Sequence, residues 1–332
     1  MATQRTPEAL MDQVRAFRQA CVIIAATELD VFTLLDKQPL GATALAGRLK
    51  ADPRALAVLL DALAAMELLT KRDGRYQVPA DVADVLTETG AHCMLGMAQH
   101  LGNCLRRWGQ LAEVVMTGRP AAREPSVRGA DGDTASFIRA MHEISAPVAA
   151  GLIGSLGPLG FSHVLDLGGA SGSWTIPLLR LNPGSKATIF DLPGVIPMAA
   201  DLMKKVGLSD RVRLVAGDFY DDALPAGADM AWVSAIVHQN SREENRTLFG
   251  KIFAALVPGG RILIRDIVMD EARTRPVMGA LFAVNMLVAT SGGGTFTFNE
   301  LREDLADAGF VDARLLLAGE AIDSVVAATK PR

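Results

Sequence analysis

His163-Val-Leu-Asp-Leu-Gly-Gly-Ala-Ser-Gly172 decides how this chain is read. Val164, Leu165 and Leu167 form an apolar run that fits a buried strand. Gly168-Gly169-Ala170-Ser171-Gly172 fits a tight turn leading into a helix from Ser173 to Arg180. A second apolar run, Ala187-Thr-Ile-Phe190, ends in Asp191, 19 residues beyond Gly172. This order is the first β-α-β unit of a nucleotide-binding sheet, in which glycines let the backbone approach a ligand and the acid meets ribose hydroxyls. The spacing misses G-x-G-x-x-G, and Asp166 at the strand end would repel a dinucleotide pyrophosphate. A cationic ligand without phosphates suits it better. S-adenosylmethionine, with its sulfonium and ammonium, is one; a nicotinamide dehydrogenase is disfavoured on the same ground.

Working outward, 332 residues suit one large or two ordinary domains. Half the residues are apolar and the net charge is −4, against the basic balance of a general nucleic-acid binder. Cys21, Cys93 and Cys104 are odd in number and lack metal-ligand spacing, so they read as reduced thiols of a cytoplasmic protein, with no metal site. The N-terminal stretch Met1 to Glu8 has no apolar signal core, and no apolar run reaches the ~18 residues of a membrane span.

Three segments follow. Residues 1–105 are rich in Ala and Leu: a short helix Thr43 to Leu49, a helix Arg54 to Leu69 opened by Asp52-Pro53, then a hairpin Thr70 to Val78 turning at Asp73-Gly74. That is winged-helix order. The second helix carries Leu56, Val58, Leu59, Leu60, Leu63 and Met66 with almost no base, so dimerisation is favoured over DNA reading. Ala20-Cys-Val-Ile-Ile-Ala-Ala26 is too continuously apolar for a one-sided surface helix and predicts burial against a second subunit. Residues 106–160 form a helical linker contributing to the active site, with a loop Gly118 to Asp133 and a helix Ala135 to Leu156. From 161 to 332 strands and helices alternate, which implies a Rossmann-like, doubly wound, mostly parallel α/β sheet.

In such a sheet the ligand lies at the carboxyl ends of the strands. Asp166, Asp191, Asp218, His238 and Asp266 all fall there. Asp218 and Phe219 suit an adenine edge and its apolar cover, although Asp218 fits a turn cap equally well. His238 follows the fourth strand, and an imidazole can take the proton of an attacking hydroxyl. Asp266 ends the next strand, where its carboxylate would hold the ring.

These residues resemble the dimeric plant-type (class II) small-molecule O-methyltransferases and their bacterial relatives, such as the acetylserotonin, caffeate, hydroxyneurosporene and polyketide O-methyltransferases. Phe137-Ile-Arg-Ala-Met141 with Ser145 matches their F-x-x-A-M-x-x-x-S helix, and Asp166 to Gly172 matches D-x-G-G-G-x-G with Ala170 for the third glycine. Asp191-Leu192-Pro193 matches the ribose-binding D-L-P, and Gly217-Asp218-Phe219 the G-D-M/F turn. The resemblance implies S-adenosylmethionine held by Ser145, Asp166, Gly168, Gly169, Asp191, Leu192, Gly217, Asp218, Phe219 and Ser234. It implies His238 as base and Asp266 as the acid that orients it. Phe137, Met141, Phe282, Asn285, Met286 and Thr290 would line the pocket of an apolar hydroxyl acceptor, aromatic or polyketide-like, in a homodimer.

The chain departs from the family in three places. The family's His-Asp-Trp is His238-Gln239-Asn240, a lysine common four residues before the base is Ser234, and the base's second acid aligns with Thr295. Two alternatives stay open: a non-methylating S-adenosylmethionine-binding enzyme on the same scaffold, and a winged-helix DNA-binding regulator.

Overall fold

The computed structural model describes residues 5–332; the first four residues of the N-terminal stretch lie outside them. The chain divides into two compact units, one running to Arg106 and including Arg123–Ile144, the other made of Arg107–Ala122 and Ser145–Arg332.

In the first unit the helices Phe17–Glu28, Val31–Lys37, Ala42–Leu49 and Pro53–Ala65 precede a hairpin of Thr70–Arg72 and Arg75–Gln77. Asp52 accepts the Ala55 N–H at 2.7 Å and Pro53 sits where its missing N–H costs nothing, so the helix starts there. Leu56, Leu60 and Leu63 pack inward against Phe32, Leu35 and Leu45. The sequence predicts this helix as far as Leu69, but it ends at Ala65. Glu67 turns left-handed (φ 61°), and that turn carries Leu69 into the core. The hairpin turns at Asp73 and Gly74, both at positive φ (48° and 73°), as an Asp-Gly turn demands. The helix Pro7–Arg15 buries no residue; Leu10, Met11, Val14 and Phe17 are all exposed.

The second unit is built on a seven-stranded sheet. Its strands are β1 (His163–Leu167), β2 (Lys186–Asp191), β3 (Val212–Ala216), β4 (Ala228–Ser234), β5 (Leu256–Asp266), β6 (Val311–Leu317) and β7 (Ser324–Thr329). Their order across the sheet is β6-β7-β5-β4-β1-β2-β3. The strands from β1 to β5 are parallel, and β7 runs antiparallel to both β5 and β6. This is the doubly wound sheet expected from the sequence, with an antiparallel edge added. Parallel strands buried on both faces explain why they read as unbroken apolar runs. On one face Leu165, Leu167, Ile262 and Ile264 pack against Leu248 and Ile252 of helix Arg242–Ala255 and Leu301 and Leu305 of helix Phe298–Asp307. On the other, Val164, Trp232, Leu263 and Val325 pack against Ile153, Leu178 and Met203. Strand order reverses between β1 and β4, which opens a crevice at their carboxyl ends.

Helix boundaries shift slightly from those expected. The helix after the glycine turn starts at Thr175 rather than Ser173, because Gly172 N–H closes the turn on Gly169 O at 2.7 Å. The long helix begins at Gly129, inside the stretch expected to be loop, and ends at Ser155.

Candidate active site

Ala170 is the residue on which the glycine turn hinges. It adopts φ 47°, a left-handed conformation that costs an alanine roughly 1–2 kcal/mol. In return its N–H points at Asp191, donating to Oδ2 at 2.7 Å while Leu192 N–H donates to Oδ1 at 2.7 Å. Burial pushes the Asp191 carboxyl up, and these two N–H donors pull it back only in part. Each oxygen keeps a lone pair for a ribose hydroxyl. Gly168, also left-handed at φ 61°, packs so tightly that a β-carbon there would lie 2.7 Å from Ile236 Cδ1. At Gly169 a β-carbon would lie 2.9 Å from the Asp166 carboxyl carbon. Gly217 has a packing role, since a β-carbon there would meet the Phe190 ring at 2.5 Å.

Asp166 is 1% exposed. Its Oδ2 accepts the Thr175 hydroxyl at 2.5 Å, while its Oδ1 has no hydrogen-bond partner among the described residues. Burial, reinforced by the charge of Asp191 and opposed by the Thr175 bond, pushes its carboxyl up to about 7. An orphaned carboxylate oxygen beside a glycine cradle fits a cationic ligand and would repel a pyrophosphate.

His238 and Asp266 meet. β4 ends at Ser234, Ala235 turns left-handed (φ 57°) with its N–H on Arg265 O at 2.8 Å, and a short 3₁₀ turn, Val237–Gln239, presents the imidazole. Nδ1 lies 2.9 Å and 3.0 Å from the two carboxylate oxygens of Asp266. Asp266 is itself oriented by Ile267 N–H at 2.8 Å. With Nδ1–H donating to the carboxylate, Nε2 keeps its lone pair. The Phe282 ring stands edge-on to the imidazole, with centroids 4.8 Å apart and planes at 89°. Thr295, at the position of the missing second acid, is buried with its hydroxyl 3.4 Å from Gly279 O.

Asn240, which replaces an aromatic residue, works structurally. Tyr220 Oη donates to its Oδ1 at 2.5 Å, its amide donates to Asn245 Oδ1 at 3.0 Å, and Asn245 donates to Val237 O at 3.0 Å. This chain of bonds runs to the turn that carries His238. The following helix is locked by a capping box of Ser241 and Glu244, a feature worth about 1 kcal/mol. Asp218 caps its own turn by accepting the Tyr220 N–H at 2.9 Å, and the Phe219 ring packs tilted at 52° against Tyr220 with centroids 4.6 Å apart.

Among the other expected residues, Asn285 accepts the Trp108 indole N–H at 2.9 Å on Oδ1, so its amide N–H groups are donors left unengaged by that bond. Met286 is buried, and the Thr290 hydroxyl is engaged at the helix end, donating to Met286 O and accepting Gly293 N–H, both at 2.8 Å. Ser145 is half-buried on the long helix, one turn before the core residue Ala149. Phe137 and Met141 lie on the portion of that helix within the first unit, where Phe137 packs beside His100 with centroids 5.1 Å apart. The sequence reading did not single out Tyr220, Trp108, Thr175 or Arg265. Tyr220 adjoins Phe219, Thr175 follows the glycine turn and Arg265 adjoins Asp266, so only Trp108 is brought in from a distant segment.

Residues 108–311 match the model of the O-methyltransferase domain, and residues 11–89 that of the O-methyltransferase dimerisation domain. The chain belongs to the O-methyltransferase family. It is 33% identical to the tetracenomycin polyketide synthesis 8-O-methyl transferase of Streptomyces glaucescens, covering 99% of this chain and 98% of that one. It is 30% identical to the 3-hydroxy-5-methyl-1-naphthoate 3-O-methyltransferase of Streptomyces sahachiroi, over 98% and 95% of the two chains. The crystal structure of human N-acetylserotonin methyltransferase in complex with SAM superposes with a TM-score of 0.81 at 28% identity, covering 100% of both chains. The fold, the family and the S-adenosylmethionine dependence expected from the sequence therefore hold for this O-methyltransferase. No helix among the described residues is long and apolar enough to cross a membrane.

Proposed function

We propose that this O-methyltransferase methylates a hydroxyl of an apolar, ring-bearing small molecule of the polyketide type, with His238 as general base. The observation that carries the reading is the His238–Asp266 pair at 2.9 Å. S-adenosylmethionine, when bound, supplies a methyl group made electrophilic by its sulfonium.

The chain's own residues then do the following. Asp191 and the Ala170 turn hold the ribose, and Asp166 faces the cationic amino-acid end. Nε2 of His238 takes the acceptor's hydroxyl proton, and Asp266 stabilises the resulting imidazolium from the Nδ1 side. Phe282 walls the acceptor beside the imidazole, and Asn285 offers amide N–H groups to an oxygen of the acceptor. Helix Val277–Ala289 is apolar almost all round, with Val277, Met278 and Leu281 still exposed, which favours an apolar acceptor. The names of the two Streptomyces relatives, one acting in polyketide synthesis and one on a naphthoate, point the same way. The absent second acid moves the weight of catalysis toward positioning, and aligned partners reach effective molarities of ~10⁵ M or more.

Two copies pair through the N-terminal helices, where Leu10, Met11, Val14 and Phe17 form an uncovered apolar face and the Ala20–Ala26 run is mostly only half-buried. The deciding experiment incubates the enzyme with S-adenosylmethionine carrying a labelled methyl and a panel of hydroxylated aromatic polyketides, and follows product mass. Label on a phenolic oxygen is the expected result. Bound cofactor with no labelled product from any acceptor would instead favour the non-methylating reading.

A further inference from the structure

Three buried polar atoms of the second unit have no hydrogen-bond partner among the described residues: Asp166 Oδ1, Trp232 Nε1 and Arg265 Nε. They lie on three neighbouring strands. Asp166 of β1 pairs in register with Trp232 of β4, Trp232 with Leu263 of β5, and Ser234 with Arg265. Because side chains alternate along a strand, Asp166, Trp232, Ser234 and Arg265 all project from the same face, opposite to Asp266.

Arg265 is the unusual member. It is 8% exposed, yet it makes no ion pair among the described residues. Its guanidinium lies 4.2 Å from the Trp174 ring centroid, and Nη1 donates to Ser234 Oγ at 3.0 Å. The fields of Asp266 and Asp323 reach it, but burial dominates and pulls it down to about 10. An arginine held in an apolar core without a carboxylate is costly unless an anion comes to it.

The position of Arg265 indicates which anion. Trp174, which supports the guanidinium, is followed directly by Thr175, whose hydroxyl binds Asp166. Two successive residues therefore touch an arginine and an aspartate that each keep one polar atom without a hydrogen-bond partner among the described residues. An α-amino acid carries the complementary pair, an ammonium and a carboxylate.

We propose that Arg265, with Ser234, recognises the carboxylate of the cofactor's amino-acid end while Asp166 receives its ammonium. This rests on the S-adenosylmethionine reading above. Arg265 touches neither His238 nor the reacting methyl in this assignment, so it governs cofactor selection rather than chemistry.

The test compares S-adenosylmethionine with its decarboxylated analogue, which lacks only that carboxylate, by calorimetry on the intact enzyme and on Arg265→Met and Arg265→Lys. The wild-type enzyme should prefer S-adenosylmethionine about tenfold to a hundredfold, the worth of one charge-assisted contact. Arg265→Met should bind the two equally, Arg265→Lys should keep part of the preference, and the melting temperature of unliganded Arg265→Met should be equal to or above that of wild type. A preference undiminished in Arg265→Met overturns the assignment. So does a variant that melts lower and loses both ligands alike, which marks a packing residue. A wild-type enzyme that binds neither ligand would instead refute the cofactor reading itself.

Discussion

Asp166 should make cofactor binding depend on pH in a way that can be worked from its surroundings. Its carboxyl is pushed from 3.8 to about 7 by burial and by Asp191, so the unliganded enzyme keeps the proton through the mildly acidic range. A cationic ligand needs the carboxylate, and the apparent affinity scales with the fraction that carries it. That fraction is about one in a hundred at pH 5 and about nine in ten at pH 8, so affinity should weaken roughly a hundredfold between them. S-adenosylhomocysteine, the demethylated product, keeps the ammonium that faces Asp166 and is the ligand to use, because over this range neither its ammonium nor its carboxylate titrates. Calorimetry at pH 6 in buffers of different ionisation enthalpy should show close to one proton released per ligand bound. Stability runs the opposite way. Between about pH 4 and 7 the folded chain holds this proton while the unfolded chain has lost it, so this group's contribution falls as pH rises. A shift of about three units corresponds to about 4 kcal/mol lost by pH 8, which Asp166→Asn should largely recover while flattening the pH dependence of binding. Affinity constant from pH 5 to 8, with no proton release at pH 6, would refute the argument.

Four further variants separate chemistry from architecture. His238→Ala should lower turnover ~10²–10⁴-fold with cofactor affinity nearly unchanged, and Asp266→Asn should cost less. The double variant should resemble His238→Ala, since the two act as a unit, and a wild-type rate in His238→Ala would mean transfer by proximity alone. Ala170→Gly should raise stability by about 0.5–1 kcal/mol, the relief of the left-handed alanine less the added freedom of the unfolded chain. Denaturant midpoints check it, and a loss of stability would mean the methyl group packs usefully.

The nucleotide-binding half was legible because its signals are local. Buried parallel strands must be apolar along their length, and a turn that brings backbone near a ligand must use residues tolerant of positive φ. β1, the glycine turn and Asp191 thus announce themselves within thirty residues. His238 and Asp266 were legible at one remove, because each ends a strand and successive strands in such sheets tend to be neighbours. The 2.9 Å contact is a fact of the register between β4 and β5. What the sequence by itself determined was therefore the sheet, the family and the residues set along the carboxyl edge of the strands.

Tertiary structure alone decided which of those residues have partners. Asn240, a departure from the family pattern, is tied through Tyr220 and Asn245 to the turn under His238. Thr290, expected in the pocket, has its hydroxyl engaged by its own helix end. Arg265 sits in a strand whose apolar pattern it interrupts, and that pattern does not reveal that it rests on Trp174 and leaves Nε without a hydrogen-bond partner among the described residues. Burial and pairing depend on what distant segments bring to the same few ångströms. Periodicity reports which face a side chain takes, and only packing decides what it meets there.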